Sequence, residues 1–326
     1  MKIVNRILSF ALLALPLVCL GVFEHAVADD EAPPLRVSYT PEQVAENIYV
    51  IHGPKELPNP ENQGFMNNPG FVLTADGVVV IDAGSSLQVG RMVVQAVRSI
   101  TDEPISATFS THIHGDHWLG NQAVLESFPA AKMYAHSLLI EAANAGEAEN
   151  WVSLMDQLTA GATRGTVGIV PDLSVNHGDS LAIGGFDFTI HHKGRAHTDS
   201  DIAILISPGN TLFSGDLVFN HRLGRMDDGS FTGSIEILDH LLSLDASVVV
   251  PGHGKTAGPE LLVDMQRFQK TLYETIESQF EEGVPDFEMK PAVVNALSEF
   301  TDWEGFEEGI GRMVSLGYLE VEENNF

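Results

Sequence analysis

Residues 111 to 117 of the sequence read THIHGDH and contain three histidines and one aspartate. His112, His114 and His117 each offer an imidazole nitrogen, and Asp116 adds a carboxylate oxygen. Imidazole is the commonest metal ligand in proteins, and Asp oxygens bind the same ions. A histidine-rich polar turn is the alternative interpretation of this segment. Because it directly follows the strand-like run ISATFS, the cluster favours a metal site at the end of a strand.

Three more candidate ligands follow or lie in predicted strands further along the chain. His197 comes after FTIHHKGRA, Asp216 lies in LFSGDLV, and His253 lies in VVVPGHGK. Taken singly, each is explained as well by a turn, a cap or a surface position. Loops at strand ends let a rigid scaffold direct several side chains to one point. The set as a whole therefore indicates one composite site, and no metal role is predicted for the remaining histidines.

These seven residues resemble the ligand pattern of the metallo-β-lactamase superfamily. Its motif His-x-His-x-Asp-His, followed by a distant His, Asp and His, is present in full between roughly residues 45 and 255. The resemblance implies an αββα sandwich. It also implies two Zn²⁺ ions per chain, with Fe or Mn as alternative metals. The implied ligands are His112, His114 and His197 for one ion, Asp116, His117 and His253 for the other, and Asp216 between them.

A pair of zinc ions implies hydrolysis. Two such ions about 3.5 to 4 Å apart can share a hydroxide, lower its pKa and polarise a carbonyl oxygen. We predict that Asp116 is catalytic as well as a ligand, because it can orient the water or accept its proton. Asp82, in VVVIDAG, matches a family position that supports the metal-binding loop. Its alternative is an ordinary turn residue at a strand end.

Two loops are candidates for binding a substrate. Their candidate residues are Phe65, Met66, Asn68, Asn220, Arg222 and Arg225. The first loop, residues 58–70, offers an apolar flap with amide groups beside it. The second, residues 219–229, offers two arginines for an anionic group. A solvated, turn-rich loop explains the first segment equally well, and a salt-bridged surface loop explains the second better than anion binding does. The segment 137–165, with Trp151, is a candidate third wall.

The predicted elements form two β-rich halves, each backed by helices. In the first half, Asp76-Gly77 predicts a tight hairpin between GFVLT and GVVVIDAG. The order strand, helix, strand then favours a layered α/β fold, with two sheets face to face and helices outside. From residue 257 onward the pattern is mostly helical. We therefore predict a signal peptide (1–28), an αββα domain (29–256) and an acidic helical extension (257–326).

The first 28 residues read as an export signal. MKIVNR carries two cations, an apolar run of 17 residues follows, and AVA precedes Asp29 as a cleavage signature. A retained membrane anchor is the alternative, but Pro16 interrupts the run and its length is at the short end for spanning a bilayer. We predict a periplasmic or secreted protein. Since Cys19 is the only cysteine, its mature form would contain neither disulfides nor thiolate ligands.

Charge narrows the class of partner. The whole chain has a formal net charge of −28, and removal of residues 1–28 leaves 15 Lys and Arg against 44 Asp and Glu, or −29. Such a surface repels nucleic acid and anionic lipid, so we expect no nucleic-acid partner and no membrane association after cleavage. The class of partner that the charge does not exclude is a small-molecule substrate. The sequence does not indicate an oligomeric state.

Our leading prediction is a dinuclear zinc hydrolase that attacks an ester, thioester, lactone or lactam carbonyl with a metal-bridging hydroxide. The stretches beginning THIHGDHWLGN and GDLVFNHRLGR are similar to exported zinc metallohydrolases associated with quinoprotein relay and sulfur-oxidation systems. Substrates of that branch are poorly defined. The alternatives are a β-lactamase, a mononuclear iron persulfide dioxygenase, and a non-catalytic periplasmic accessory protein that binds metal.

Overall fold

The first sheet is built from the N-terminal half of the chain. The structure, a computed structural model, describes residues 31–325, so the predicted signal segment lies outside the described residues. The seven strands are β1 (Glu42–Ala45), β2 (Ile48–Val50), β3 (Gly70–Thr74), β4 (Gly77–Ile81), β5 (Ile105–Ser110), β6 (Lys132–His136) and β7 (Leu173–Val175). They lie in chain order, antiparallel from β1 to β4 and parallel from β4 to β7. Parallel pairing brings the carboxyl ends of β4 and β5 side by side, where Asp82 and His112 follow.

The second sheet contains the remaining strands of residues 31–325. They are β8 (Ser180–Ile183), β9 (Phe186–His191), β10 (Ala203–Ser207), β11 (Thr211–Phe219) and β12 (Val248–His253). Their spatial order is β12-β11-β10-β9-β8, and only the β11–β12 pair is parallel among them. All nine residues of β11 are buried, because both faces of this sheet are covered. The β11–β12 pairing places Asp216 next to the end of β12, which carries His253.

The two sheets pack face to face through alternating apolar residues. Ile81 and Phe109 from the first sheet meet Phe188, Phe213 and Val250 from the second, and all five are almost completely buried. The rings of Phe109 and Phe188 stack with centroids 5.5 Å apart. This apolar interior fixes the relative positions of the strand ends that carry the candidate ligands.

Helices cover the outer faces of both sheets. Those before residue 160 are α1 (Leu87–Arg98), α2 (Gly115–Trp118), α3 (Asn121–Ser127), α4 (Ser137–Ala142), a π-helical turn (Ala143–Glu147) and α5 (Ala148–Leu158). Those after it are α6 (Phe231–Leu242), α7 (Glu260–Glu281), α8 (Asp286–Ala296), a 3₁₀ turn (Ser298–Phe300) and α9 (Phe306–Asn325). The predicted αββα sandwich with a C-terminal helical appendage is confirmed. Within residues 31–325, no helix combines the length and apolarity needed to cross a bilayer.

The C-terminal helices share one apolar core with the second sheet. Phe268 and Leu272 of α7 and Ile310 of α9 belong to the same buried cluster as Leu212 and Val218 of β11. Glu320 of α9 also caps α6, since its carboxylate accepts hydrogen bonds from the backbone N–H groups of Phe231 and Thr232 at 2.7 and 2.9 Å. The helical extension is thus integrated with the outer layer of the sandwich.

Candidate metal centre

The seven predicted ligands come together in two groups of side chains. Within each group, one ligand atom per residue lies within 4.8 Å of all the others. The first group is His112, His114, His197 and Asp216, and the second is Asp116, His117 and His253. Six of the seven residues are buried, whereas His114 is partly exposed. The structure therefore assembles in space the set that the sequence scatters over about 140 positions.

The chain brings these residues together through short loops and one very short helix. His112 and His114 follow β5, and α2 then presents Asp116 and His117 in succession. The loop that carries His197 is tied to this segment by the backbone, because Ile202 N–H donates to Thr111 O at 2.8 Å. A second tie runs from the N–H of Ile113 to Ser200 Oγ at 3.1 Å. These bonds fix His197 beside His112.

Asp216 lies between the two groups. Its Oδ2 is 3.3 Å from His253 Nε2 and 3.5 Å from His197 Nε2, while its Oδ1 is 3.2 Å from His117 Nε2. The carboxylate of Asp216 is thus within 3.5 Å of imidazoles from both groups, which is the position that a shared ligand would need. The neighbouring strand leaves room for it only because residue 252 is glycine, since a Cβ there would collide with Asp216 Oδ1.

Hydrogen bonds on the outer side of three imidazoles decide which nitrogen faces inward. His117 Nδ1 donates to Asp82 Oδ2 at 2.8 Å, and His253 Nδ1 donates to Met66 O at 2.9 Å. His112 Nδ1 lies 3.1 Å from Thr111 Oγ1, whose hydroxyl donates to Asp82. In the neutral imidazole, each arrangement places the proton on Nδ1 and leaves Nε2 as the nitrogen directed to the centre. Outer partners of this kind orient metal-binding histidines and fix their tautomers.

His114 uses its other nitrogen. Its Nε2 donates to Asp228 Oδ2 at 3.2 Å, and its Nδ1 lies 2.9 Å from His197 Nε2. Sequence analysis did not single out Asp228, although it considered the surrounding loop for its arginines. The sequence places two adjacent aspartates at the end of that loop, but only the structure shows that Asp228 contacts His114. A short distance between two ring nitrogens requires a shared proton or a cation.

The centre contains buried polar atoms that the protein itself does not satisfy. His112 Nε2, His117 Nε2 and Asp216 Oδ1 have no hydrogen-bond partner among the described residues. Leaving such groups buried and unpaired costs about 1 to 3 kcal/mol each. All three are atoms that a metal ion would coordinate. Imidazole nitrogens and carboxylate oxygens are also the donors that zinc accepts, so the residues present fit a pair of zinc ions.

The two groups of candidate ligands differ in the pKa values of their histidines. Burial lowers the pKa of His197 to about 3, and burial likewise holds the pKa of His112 well below its usual range. Burial also acts against the charged form of His253, but the carboxylates of Asp216 and Asp116 raise its pKa to about 9. For Asp116, burial acts against ionisation, yet the adjacent His117 holds its pKa well below the usual range. The second group therefore carries protons at neutral pH that a metal ion must displace.

Aromatic side chains line the centre. The ring of Trp151, in α5, lies 4.9 Å from that of His114. The ring of Phe219 stacks on His253 with centroids 5.7 Å apart and an interplanar angle of 6°. Trp151 was expected as part of a third wall, whereas Phe219 was not singled out. These rings give the site apolar sides next to its polar centre.

The first predicted substrate loop has a different role. Phe65 is completely buried and packs edge to face on Tyr39 at 4.6 Å, so it belongs to the core and does not form an exposed flap. Met66 is also buried, and its backbone oxygen holds His253. The expectation of an apolar flap is corrected for both residues, because the loop folds inward against the first sheet.

Asn68 braces the segment that carries His253. Its Nδ2 donates to the backbone oxygens of Pro251 at 2.8 Å and Gly254 at 2.7 Å, and its Oδ1 accepts from Gly53 N–H at 3.2 Å. With these atoms engaged and the residue buried, Asn68 is a positioning residue. This corrects its prediction as a substrate contact.

The second predicted loop is largely engaged with the protein itself. Asn220 Nδ2 donates to Lys255 O at 2.7 Å, and the exposed Arg225 pairs with Asp227 at 2.8 Å. Arg222 differs, because its Nη1 is buried without a hydrogen-bond partner among the described residues. An unused guanidinium donor leaves Arg222 as the member of this loop that retains capacity for a ligand.

Comparisons with known proteins agree with this geometry. The sequence model of the metallo-beta-lactamase superfamily matches residues 63–253. A hydroxyacylglutathione hydrolase from Xanthomonas campestris pv. campestris is 28% identical over 172 residues, which are 53% of this chain and 54% of that protein. The chain thus spans about half the length of this relative.

Two solved structures share the fold at low sequence identity. A metallo-beta-lactamase from Pontibacter korlensis superposes with a TM-score of 0.58 at 19% identity, over 72% of this chain and 99% of that chain. A stereoselective inverting sec-alkylsulfatase from Pseudomonas sp. gives a TM-score of 0.61 at 15% identity, over 78% of this chain and 45% of that chain.

The family match contains all seven candidate ligands and more than half of the chain. The chain therefore belongs to the metallo-beta-lactamase superfamily.

Proposed function

We propose that the protein is a dinuclear zinc-dependent hydrolase that attacks the carbonyl of an ester, thioester, lactone or lactam. One observation carries the proposal: two groups of candidate ligands meet at Asp216, and three of their inward atoms, His112 Nε2, His117 Nε2 and Asp216 Oδ1, have no hydrogen-bond partner among the described residues. Two adjacent groups of ligands that share one buried carboxylate suit a pair of metal ions acting on one substrate, and a two-metal site of this kind favours catalysis over the accessory role.

Two zinc ions, when bound, would supply Lewis acidity to the substrate oxygen and lower the pKa of water. The side chains supply position and proton transfer. Asp116 Oδ2 is 3.3 Å from both His117 Nε2 and His253 Nε2, and its depressed pKa keeps it ionised. An ionised carboxylate at this place orients a water molecule and accepts its proton. The rings of Trp151 and Phe219 give this space apolar sides.

A thioester is the first substrate class to test. The likeness to a hydroxyacylglutathione hydrolase supports it, although that likeness covers only about half of each chain. Arg222, whose Nη1 has no hydrogen-bond partner among the described residues, is the proposed contact for an anionic portion of the substrate. Esters, lactones and β-lactams complete the panel of carbonyl substrates.

The test is steady-state hydrolysis by zinc-loaded protein across this panel, with metal content measured on the same samples. We expect turnover of at least one carbonyl class and a loss of about 10² to 10⁴-fold in kcat for Asp116→Asn. The matched control is Asp187→Asn, an exposed aspartate on β9, which should retain full activity. Inertness toward every carbonyl substrate at full zinc loading would refute the proposal. Oxygen consumption with a persulfide and iron would favour the dioxygenase alternative.

A further inference from the structure

A third group of histidines lies outside the seven predicted ligands. His177, His191 and His240 each present a ring nitrogen, and these three atoms all lie within 4.8 Å of one another. His191 Nδ1 and His240 Nε2 are 3.0 Å apart. The ring centroids are separated by 5.1 Å for His191 and His240, 5.4 Å for His177 and His240, and 6.2 Å for His177 and His191. No local sequence pattern links the three histidines, because they are 14 and 49 positions apart.

Three different elements hold these rings. His191 is the last residue of β9, His240 lies in the last turn of α6, and His177 lies in the loop between β7 and β8. The loop is fixed over β9 by the backbone, since Gly178 N–H donates to Ile190 O at 2.9 Å. On α6, Ile237 and Leu241 are buried in the outer core and hold the helix in place. A backbone hydrogen bond and core packing therefore set the distances between the three histidines.

The three histidines differ in solvent exposure, which increases from His191 through His240 to His177. His191 is only 7% exposed, and its Nε2 is buried without a hydrogen-bond partner among the described residues. His240 is half-buried, and His177 is exposed. A cation from solvent can therefore reach the group through His177. Two ring nitrogens 3.0 Å apart again require a shared proton or a cation between them.

Three imidazole ligands favour transition-metal ions over Ca²⁺ and Mg²⁺. Burial lowers the pKa of His191 to about 4 and also lowers the pKa values of His177 and His240, with a smaller effect from Lys193 on all three. The rings are therefore neutral at pH 7, which is the form that binds metal. Lys193 opposes a cation at this place, whereas the formal charge of −28 on the whole chain favours one. With imidazoles alone, the group suits Zn²⁺ or Cu²⁺ and does not suit Ca²⁺ or Mg²⁺.

We propose that His177, His191 and His240 form a third metal site, which binds a nitrogen-preferring divalent transition metal such as Zn²⁺ or Cu²⁺ through three imidazoles. An ion held there joins α6 to the second sheet and to the β7–β8 loop. Such a link stabilises the folded state by RT ln(1 + L/Kd), where L is the concentration of free metal. The site is independent of the proposed catalytic centre, because the two share no ligand.

The test compares metal stoichiometry between matched variants of tag-free, full-length protein. Each is equilibrated with Zn²⁺ by dialysis, and metal per chain is measured by inductively coupled plasma mass spectrometry. We expect the double variant His177→Gln/His240→Gln to bind about one ion per chain fewer than the wild type. The control His221→Asn changes a histidine outside all three groups and should match the wild type. Circular dichroism verifies that the variants are folded.

The difference between the variants, and not the total, decides the question. If the dinuclear proposal fails but this inference holds, the wild type still binds one more ion than the double variant. Equal stoichiometry in the two, or the same loss in His221→Asn, would overturn the third site. A second readout is electron paramagnetic resonance with one equivalent of Cu²⁺ on protein loaded with only two equivalents of Zn²⁺ per chain. Nitrogen hyperfine coupling should be present in the wild type and absent in the double variant.

Discussion

At the scale of single residues, the centre depends on polar groups that bind no metal themselves. Asp82 accepts hydrogen bonds from His117 Nδ1, from Thr111 N–H and from the Thr111 hydroxyl, each at 2.8 Å. One carboxylate thus orients His117 directly and His112 through Thr111. The ordering of the imidazoles is therefore built into the end of β4 before any ion arrives.

Replacement of Asp82 tests this arrangement. Asp82→Asn keeps the size of the side chain but places a donor where His117 Nδ1 needs an acceptor. Loss of such a partner typically costs about 10 to 100-fold in metal affinity. Competition with a chromophoric chelator measures the change. The control Asp102→Asn alters an exposed aspartate and should bind zinc as the wild type does; equal affinity in both variants would contradict the assigned role.

The pKa of His253 predicts how stability changes with pH. Its folded value of about 9 exceeds the ordinary value of 6.5, so the metal-free folded protein holds this proton more tightly than the unfolded chain. The resulting stabilisation is complete below about pH 6.5 and is lost as the pH rises to about 9. The pKa of His117 is raised as well, and its contribution has the same sign.

We therefore expect the Tm of chelator-treated protein to fall between pH 6.5 and 9. Zinc-saturated protein should not show this fall, because the metal has replaced the protons and deprotonation favours its binding. Differential scanning calorimetry of both forms measures the contrast. A parallel fall in the two forms would show that other groups dominate this pH range.

At the scale of elements, α6 depends on a residue far away in the sequence. Glu320 of α9 accepts hydrogen bonds from the first backbone N–H groups of α6 and from the hydroxyls of Ser230 and Thr232. A carboxylate at a helix N-terminus satisfies unpaired donors and interacts favourably with the helix dipole. The cap therefore joins the last helix to the helix that carries His240.

Removal of this cap should destabilise the fold without removing a metal ligand. We expect Glu320→Ala to lower the free energy of unfolding by about 1 to 2 kcal/mol, as measured by urea denaturation. Glu322→Ala, an exposed glutamate on the same helix, is the control and should change stability by less than about 0.5 kcal/mol. Equal effects of the two substitutions would contradict the capping role.

The elements were easier to predict from sequence than the contacts between them. The run GVVVIDAG and the Asp76-Gly77 turn identify β3 and β4, because a short apolar run and a local turn are properties of neighbouring residues. The seven candidate ligands could be recognised in the sequence because they match the spacing of a known motif and follow its order along the chain. The inward packing of Phe65 and the bracing by Asn68 depend on distant backbone oxygens such as that of Pro251, which no local pattern encodes.

At the scale of the whole molecule, the acidic tail is part of the sandwich. Phe268 of α7 stacks with Trp303 and meets Phe300 edge to face, and all three are buried beside the second sheet. The boundary predicted at residue 257 separates segments of different composition and charge. It does not mark a gap in the hydrophobic core of the described residues.

Deletion of residues 257–326 tests the dependence of the sandwich on its tail. The truncated chain would expose the outer face of the second sheet, including Leu212 and Val218, and large exposed apolar patches promote aggregation. We expect little soluble protein, and the remaining soluble fraction should bind a hydrophobic dye strongly. A truncated chain that is monomeric, folded and zinc-binding would show that the tail is dispensable.

The contact between Asp227 and the last helix has a further consequence. Asp227 forms an ion pair with Arg312 of α9, and the next residue, Asp228, holds His114. A displacement of α9 would therefore move Asp227, the adjacent Asp228 and the imidazole of His114. A substitution, a ligand or a neighbouring protein could cause such a displacement. Reactivity in this enzyme could then be tuned during evolution by changes at its far C-terminal surface, while every residue that contacts the reactants stays the same.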